Sequence, residues 1–226
     1  MNDSPPKRLY KFLPSEYIEP VYRQGQLLFR NLTYFRQFED KTRGDHLEGH
    51  HRDNPDNDIQ ITDLHTGTTQ SGDYSFLNTT DTDEIFVYCL ATRLDASLYA
   101  AFQSDACIEI TDVPTFEKHT RIAIAKLASK HRKGLLCGPV AYYAPNKPSN
   151  VDIKDPTKLA FLKDQIYSHQ SEYRLVFGTR RAFRLQQKLV VNKGYDFRAE
   201  ALRGSPKSKT IKVGSLRAIA TVHLRP

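Results

Sequence analysis

Short apolar segments separated by turn residues run through this chain, and they constrain its fold more than any other feature. The segments are rich in aromatic and β-branched residues, a composition typical of β-strands. They predict strands over residues 8–13, 26–30, 84–90, 106–111, 135–143, 173–178, 183–191, 210–213 and 216–224. Apolar residues at helical spacing predict helices over 15–24, 96–102, 114–130 and 157–166. We therefore expect an α+β fold in a single domain that spans residues 1–226.

The polar stretch 33–83 interrupts this series of strands. It contains few apolar pairs and many turn residues, so it predicts a long loop. Long loops inside a domain are often functional, and the charged residues 36–48 at its start favour that interpretation.

The histidines of this stretch suggest one alternative. His46, Glu48, His50 and His51 would bind a divalent metal, as in a metal-dependent nuclease, if two histidines shared one face of a helix. Gly49 disfavours a regular helix there. A solvent-exposed, His-rich loop is the simpler interpretation, and we assign no metal ligand.

Composition predicts a cytoplasmic protein. No apolar run approaches the roughly 18 residues that a membrane span needs, and residues 1–8 lack the apolar stretch of a signal peptide. Cys89, Cys107 and Cys137 are an odd, widely spaced set in apolar segments. We expect them to be buried free thiols in a reducing compartment.

Basic charge is concentrated at the C-terminal end of the chain. Residues 178–226 form a β-rich segment with 12 basic and 2 acidic side chains, whereas residues 1–177 carry 21 and 24. Such a segment would attract a polyanion through phosphate contacts, or it would simply be a solvated basic face.

The most informative motif is Gln170-Ser171-Glu172-Tyr173-Arg174. If these residues form a strand, Gln170 and Glu172 point to the same side, because side chains alternate along a strand. Both would then enter one cleft. The alternative is that Glu172 pairs with Arg174 on an exposed sheet surface.

Four stretches together give the chain a family resemblance. They are Leu9-Tyr10-Lys11-Phe12; Tyr34-Phe35-Arg36 with Glu39-Asp40, Asp45 and Glu48-Gly49; Tyr88-Cys89-Leu90-Ala91-Thr92; and Glu172-Tyr173-Arg174. In this order, across about residues 8–178, the chain resembles the ADP-ribosyltransferases. In detail it looks like a family of unnamed function associated with bacterial abortive infection and phage resistance. The resemblance implies an ADP-ribosyltransferase-like fold with central split sheets, mixed or antiparallel, and flanking helices.

The resemblance also implies site residues for the substrate NAD. Glu172 takes the catalytic position, and Gln170 takes that of the residue that orients the acceptor. The NAD-binding residues it implies are Tyr10, Lys11, Arg36, Arg43, Thr92, Tyr99 and Phe102. Lys11 stands where this fold normally has an Arg or His, so it keeps a positive charge but loses the bidentate fork that Arg36 or Arg43 would restore.

Two functions follow from the resemblance. The first is an NAD-dependent mono-ADP-ribosyltransferase that modifies a macromolecule, with nucleic acid slightly favoured over protein because of the basic C-terminal segment. Such an enzyme would serve as a toxin or phage-defence effector, which an antitoxin would hold in check. The second is a catalytically inactive relative that binds nucleic acid or a protein partner. No membrane contact is expected.

Overall fold

The computed structural model describes residues 6–37, 45–53, 58–127, 134–144, 152, 155–190 and 203–225. Its strands are β1 (Leu9–Leu13), β2 (Gln26–Asn31), β3 (His50–Asp53), β4 (Ile59–Thr62), β5 (Thr69–Gly72), β6 (Ser75–Thr79), β7 (Ile85–Ala91), β8 (Ala106–Ile110), β9 (Leu136–Pro139), β10 (Ala141–Tyr143), β11 (Leu162–Asp164), β12 (Glu172–Gly178), β13 (Gln186–Val190), β14 (Ser208–Lys212) and β15 (Ala220–Leu224). Its α-helices are α1 (Leu32–Gln37), α2 (Ala96–Ala101) and α3 (Val113–Ala125). Short 3₁₀-helical segments cover Ser15–Tyr17, Thr82–Glu84, Pro156–Phe161 and Gln165–Gln170, and a π-helical turn covers Glu19–Arg23. The predicted α+β class is confirmed.

Eight antiparallel strands form the central sheet. One path runs β14-β2-β7-β1-β8-β15, while β12 pairs with the other edge of β7 and β9 pairs with β12. Strand β7 is apolar along its whole length and lies in the middle of this arrangement. It has β12 along one edge, and β2 and β1 at the two ends of the other edge. The sheets are mostly antiparallel, since only the small pair β10 and β11 is parallel.

The central sheet is split beside β7. Strand β12 pairs with one edge of β7 along its whole length, from Ile85 to Ala91. Strands β1 and β2 share the other edge of β7. Strand β2 contacts the start of β7 through Arg30 and Val87, and β1 contacts its end through Tyr10 and Ala91. Among the strands that the structure describes, neither pairs with residues 88–90 on that edge. We call this opening between β1 and β2 the gap.

The main core lies on one face of this sheet, against α3. Val113, Phe116 and Ile124 of α3 are buried there. They pack with side chains of seven strands, including Leu9, Ile108, Phe29, Ile211, Tyr88, Leu90, Leu175, Phe177 and Ala220. Burial of this apolar surface, worth about 25 cal/mol per Å², fixes the sheet. A second apolar cluster that includes Ile85, Val87 and Val176 is buried on its other face.

The prediction of a long loop over 33–83 was wrong in the part of the chain that the structure describes. This stretch contains α1 and four strands, of which β3 and β6 join β13 in a three-stranded sheet and β4 and β5 form a hairpin. The strands are short and several are exposed, so their alternation is polar and gives little sequence signal. Cross-strand contacts such as Thr62 with Thr69, 2.9 Å between hydroxyl oxygens, support them instead.

The helix predicted over 157–166 is also corrected. Two aspartates, Asp155 and Asp164, accept hydrogen bonds from the main-chain N–H of Thr157 and Ile166, and each caps its own short 3₁₀ segment. Between these segments β11 pairs with β10. The strand predicted over 135–143 is likewise divided, because β9 and β10 belong to different sheets. The chain therefore turns sharply before it reaches β12.

The structure also bears on the cysteines and on possible membrane spans. Cys107 is buried, Cys89 and Cys137 are half-buried, and all three are free thiols. Within the described residues, no helix combines the length and apolar character that crossing a membrane requires.

Candidate functional site

A cavity of about 520 Å³ lies over the gap in the central sheet. On β2 and β12 its lining residues alternate with those of the main core. On β2, Leu28 and Arg30 line the cavity whereas Phe29 is buried in the core, and on β12 Glu172 lines the cavity whereas Tyr173 does not. On these strands the cavity therefore lies on the face opposite the main core, whereas at the gap Tyr88 and Leu90 belong to the core and also line the cavity. We call it the central cavity.

The lining combines aromatic rings with charge. The aromatic side chains are Tyr10, Phe12, Tyr17, Tyr34, Phe35, Tyr88 and Phe102. The charged side chains among the described lining residues are Lys11, Arg30, Lys163 and Arg174, which are basic, and Glu172, which is acidic. This excess of positive charge around planar apolar surfaces suits an anionic ligand that carries an aromatic ring.

Two rows of residues cross the floor of the cavity. Glu172, Ala91 and Tyr10 are aligned across β12, β7 and β1, which places the Cα atoms of Glu172 and Tyr10 about 10 Å apart. The small side chain of Ala91 leaves space between them. Arg30 is aligned with Val87, four residues from Ala91 along β7, or about 13 Å. A ligand that contacts both Glu172 and Arg30 must be extended.

Glu172 is held by two cations. Its Oε1 accepts from Lys163 Nζ at 2.5 Å, and its Oε2 accepts from Arg174 Nε at 2.9 Å and Nη2 at 2.8 Å. The side chain of Glu172 is 6 % exposed, so the interaction is buried. The alternative of a Glu172–Arg174 pair is correct about the partner, but the pair does not lie on an exposed sheet surface.

A second carboxylate completes a buried four-charge cluster. Glu48 Oε1 accepts from Arg174 Nη1 at 2.5 Å, and Glu48 Oε2 lies 3.9 Å from Lys163 Nζ. Glu48 does not line the cavity. Glu48, Lys163, Glu172 and Arg174, the charge cluster, together carry no net charge.

The cluster keeps Glu172 ionised. Burial by itself raises the pKa of Glu172, but Arg174 and then Lys163 outweigh it and lower the pKa to about 2. Burial also lowers the pKa of Lys163, but here Glu172 and Glu48 dominate and the net shift is upward. At neutral pH Glu172 and Lys163 therefore remain charged.

Gln170 reaches the same cation by a different geometry from the one predicted. It ends the 3₁₀ segment Gln165–Gln170 and is not on β12, because Ser171 adopts a left-handed conformation with φ 46° before the strand begins. Lys163 Nζ nevertheless donates to Gln170 Oε1 at 2.7 Å. Both Gln170 and Glu172 line the central cavity, so the predicted convergence holds and the predicted strand alternation does not.

Thr92 supports this turn and does not bind the carboxylate. Its main-chain N–H and its hydroxyl both donate to the Ser171 carbonyl, at 2.9 and 3.2 Å. A left-handed non-glycine residue costs about 1 kcal/mol or more, and these hydrogen bonds help to offset it. Thr92 therefore positions the chain before Glu172 from outside the cavity, contrary to its predicted contact with NAD or the catalytic carboxylate.

Lys11 lies in the gap itself. Its Nζ donates to the Cys89 carbonyl at 3.0 Å and lies 4.5 Å from the centroid of the Tyr88 ring. Burial lowers the pKa of Lys11. Lys11 thus lines the cavity, as expected, and also takes the place of a strand partner for the middle of β7.

The other predicted NAD-binding residues divide into three groups. Tyr10 and Phe102 line the central cavity. Tyr99 is buried, with its ring packed edge-on against Phe12 at 4.9 Å, and is not a lining residue. Arg36 is buried elsewhere, where Nη1 lies 2.8 Å from His50 Nε2 and Nη2 donates to the Arg203 carbonyl. Arg43 lies outside the described residues.

The histidines after Arg36 point in different directions. His50 contacts Arg36, while His51 packs its ring 4.9 Å from that of Tyr143. They are adjacent on β3, so their side chains leave opposite faces of the strand. In the described residues, no group of three or more His, Cys, Asp or Glu side chains is arranged to hold a metal ion.

Sequence reasoning missed two lining cations. Arg30 stacks over the Tyr34 ring at 4.0 Å, and Lys163 joins Gln170 to Glu172. Arg30 alternates with buried Phe29 and Asn31, so strand periodicity alone places it on the face opposite the core. No local pattern marks Lys163, because its partners are brought to it by the turns on either side of β11.

Comparisons of this chain with protein-family models, with curated proteins and with solved structures returned no match.

Proposed function

We propose that this chain is an NAD-dependent mono-ADP-ribosyltransferase that modifies a macromolecule. One observation supports the proposal above the others. Lys11 of β1 and Glu172 of β12, which are far apart in sequence, line one cavity with Gln170 beside them. A strand cation, a carboxylate and a neighbouring amide around one cavity are what the family resemblance leads us to expect of an ADP-ribosyltransferase-like fold.

The charges of the cavity fit NAD. Its pyrophosphate is anionic, and Lys11 and Arg30 offer cations on either side of the gap. Arg30 supplies the planar guanidinium fork that the sequence assigned to Arg36 or Arg43. The volume of about 520 Å³ falls within the range of about 300–1,000 Å³ that is usual for small-molecule sites. The extended spacing of Arg30 and Glu172 favours a long ligand of this kind.

Glu172 has the charge that the transfer requires. The bond between nicotinamide nitrogen and ribose C1′ breaks, its electron pair goes to the nicotinamide ring, and C1′ becomes cationic. The nucleophile of the acceptor then bonds to C1′ and loses its proton. A fixed carboxylate stabilises such a sugar cation, and the lowered pKa of Glu172 keeps it ionised for that role.

The acceptor we favour is nucleic acid. The described residues 203–225 include six basic side chains and no acidic one, and Lys212 is exposed at β14, the edge strand next to β2. A protein acceptor is the alternative. We extend the proposal to a toxin or phage-defence effector of the cytoplasm, with an antitoxin as partner, on the resemblance alone.

A second candidate function follows from the charge cluster. Both oxygens of Glu172 already accept hydrogen bonds from Lys163 or Arg174, and the cluster is neutral without a ligand. A carboxylate compensated in this way stabilises a developing cation less well than a free one. A protein that binds nucleotides or nucleic acid in the central cavity without turning NAD over would have this arrangement.

Labelled NAD separates the two candidates. Purified protein is incubated with NAD labelled in the adenylate part and with cell extract, and the RNA, DNA and protein fractions are counted. We expect the label to enter one of these fractions, with one nicotinamide released for each labelled group transferred. Neither labelling nor nicotinamide release is expected in Glu172→Gln. NAD binding without label in any fraction would favour the binding protein. The absence of both NAD binding and label would refute the transferase and leave only a protein that binds other nucleotides or nucleic acid.

Two control variants make the result specific. Glu117→Gln changes a glutamate on the other side of β12, where Tyr173 donates to Glu117 at 2.6 Å, and should retain activity. Glu48→Gln removes a charge from the same cluster without changing the cavity lining. If Glu172→Gln and Glu48→Gln lost activity equally, damage to the fold would explain the loss.

A further inference from the structure

Lys163 is a cation that contacts both residues of the Gln170–Glu172 pair. Its Nζ lies 2.7 Å from Gln170 Oε1 and 2.5 Å from Glu172 Oε1, and its side chain is only 3 % exposed. It lies on β11, a three-residue strand paired with β10 and not with the central sheet. Lys163 therefore reaches the carboxylate from a separate part of the fold.

The two cations that hold Glu172 have different surroundings. Arg174 is also bound to Glu48 and to the Ala160 carbonyl at 2.8 Å. Neither of these partners lines the central cavity. Lys163, by contrast, uses its two hydrogen bonds on the two residues that face the cavity together. Its ammonium group also lies 4.8 Å from the centroid of the Tyr167 ring, which restricts its movement.

We propose that Lys163 is the positioning residue of the site: it fixes the Gln170 amide and the Glu172 carboxylate relative to each other, so that acceptor and sugar meet in one geometry. The inference rests on the proposed function. It assigns Lys163 a role exerted through Gln170 and Glu172, the two residues to which its ammonium group donates hydrogen bonds. Loss of Lys163 should therefore reduce turnover more than it reduces substrate binding.

Other groups also face Glu172. They are Arg174 on β12, Lys11 on β1, Cys89 on β7, Tyr142 on β10, whose hydroxyl accepts from the Glu172 N–H at 2.8 Å, and Glu48 before β3. None of these groups is replaced in a Lys163 variant. A change in the ionisation of Glu172 in such a variant can thus be assigned to the lost ammonium group.

The test compares Lys163→Met, which keeps the length of the side chain and removes its charge, with Lys163→Arg. In Lys163→Met we expect kcat to fall about 100-fold, as for a displaced catalytic group, with little change in the KM for NAD. The acidic limb of the pH–rate profile should move to higher pH, because Glu172 loses one of its two cations. Lys163→Arg should restore both the rate and the profile.

Lys158→Met is the matched control. Lys158 is an exposed lysine of the same segment that does not line the cavity, so its loss should change neither kcat nor the profile. Should Lys163→Met not fold, Lys163→Gln is measured in its place. Equal kcat and an unchanged profile in the folded Lys163 variant would overturn the inference.

A second readout needs no turnover. Glutamate carboxyl carbons are labelled with ¹³C, and the Glu172 signal is identified as the one missing in Glu172→Gln. We expect this carboxyl to titrate at higher pH in Lys163→Met than in the wild type. If it does so while the wild type never consumes NAD, the proposed function fails and with it the positioning of acceptor and sugar, while the charge coupling of Lys163 to Glu172 stands. Identical titration in the two proteins would refute the role of Lys163 itself.

Discussion

Arg174 Nη1 lies 2.5 Å from Glu48 Oε1, although the two residues are 126 positions apart and each side chain is only 1 % exposed. Glu48 belongs to the polar stretch that precedes β3, and Arg174 belongs to the central sheet. The contact therefore ties that stretch to the strand that carries Glu172. A buried charge, and not an apolar side chain, makes this connection.

Removing the Glu48 charge should destabilise the whole domain. Glu48→Gln leaves Lys163 and Arg174 facing one carboxylate, and removal of one partner from a buried ion pair typically costs about 3–5 kcal/mol. Urea unfolding measures the loss. Glu19→Gln breaks an exposed pair with Arg23 and should cost less than about 1 kcal/mol. Equal effects of the two changes would show that the charge cluster contributes no special stability.

Asp45 should make the fold less stable as the pH rises. Burial, followed by repulsion from Glu48, raises the pKa of Asp45 from 3.8 to about 7. The folded state therefore keeps a proton that the unfolded state releases, and stability is lost between about pH 4 and pH 7. Asp45→Asn avoids this loss, so its advantage over the wild type should grow by about 2 kcal/mol from pH 5 to pH 7.

Chemical unfolding at several pH values checks the Asp45 prediction. Asp63→Asn is the control, because main-chain hydrogen bonds from His65 and Thr66 lower the pKa of this exposed aspartate. The free energy of unfolding of Asp63→Asn, relative to that of the wild type, should not increase as the pH rises, in contrast to that of Asp45→Asn. A pH-independent difference for Asp45→Asn would contradict the prediction.

Arg30 should bind the anionic part of the ligand. Arg30→Gln removes a cation from the cavity lining, and the loss of a hydrogen bond to a charged group, worth about 1.5–3 kcal/mol, weakens NAD binding by about tenfold or more. Isothermal titration at two salt concentrations measures the affinity and its salt dependence. Arg23→Gln, which does not alter the lining, should bind NAD as the wild type does. Wild-type affinity in Arg30→Gln would exclude Arg30 from the site.

Thr92 should affect stability and not binding. Thr92→Val removes the hydroxyl bond to the Ser171 carbonyl and keeps the main-chain bond, so unfolding should become easier by about 0.5–1.5 kcal/mol. Thr92→Ser keeps the hydroxyl and should retain wild-type stability. The NAD affinity of both variants should be unchanged. Weaker NAD binding in Thr92→Val at full stability would reinstate Thr92 as a contact residue.

The central strands were predictable because their sequences reflect burial. Strands β1, β2, β7, β8 and β12 are apolar or alternating, and each was predicted to within a few residues. The placement of Lys11 and Glu172 in one cavity also agrees with the prediction from the resemblance. These residues lie on strands whose positions are fixed by the main core.

The remainder of the site depends on long-range packing that sequence patterns do not encode. Arg36 was chosen because it lies in a charged stretch, yet the contact with His50 buries it away from the cavity. Lys163 was overlooked because the prediction made its segment a helix. Two aspartates instead cap the starts of two short 3₁₀ segments, and the short strand β11 between these segments carries Lys163 to Glu172.

The lysine in the gap links the site to the architecture. Lys11 donates to the carbonyl of Cys89 where β7 has no strand partner among the described residues. A shorter or uncharged side chain at position 11 would leave a main-chain oxygen of the middle strand facing the ligand. The gap admits a substrate, and Lys11 satisfies the main-chain carbonyl that the gap leaves without a strand partner. We therefore expect the gap and the lysine to be retained or lost together during evolution.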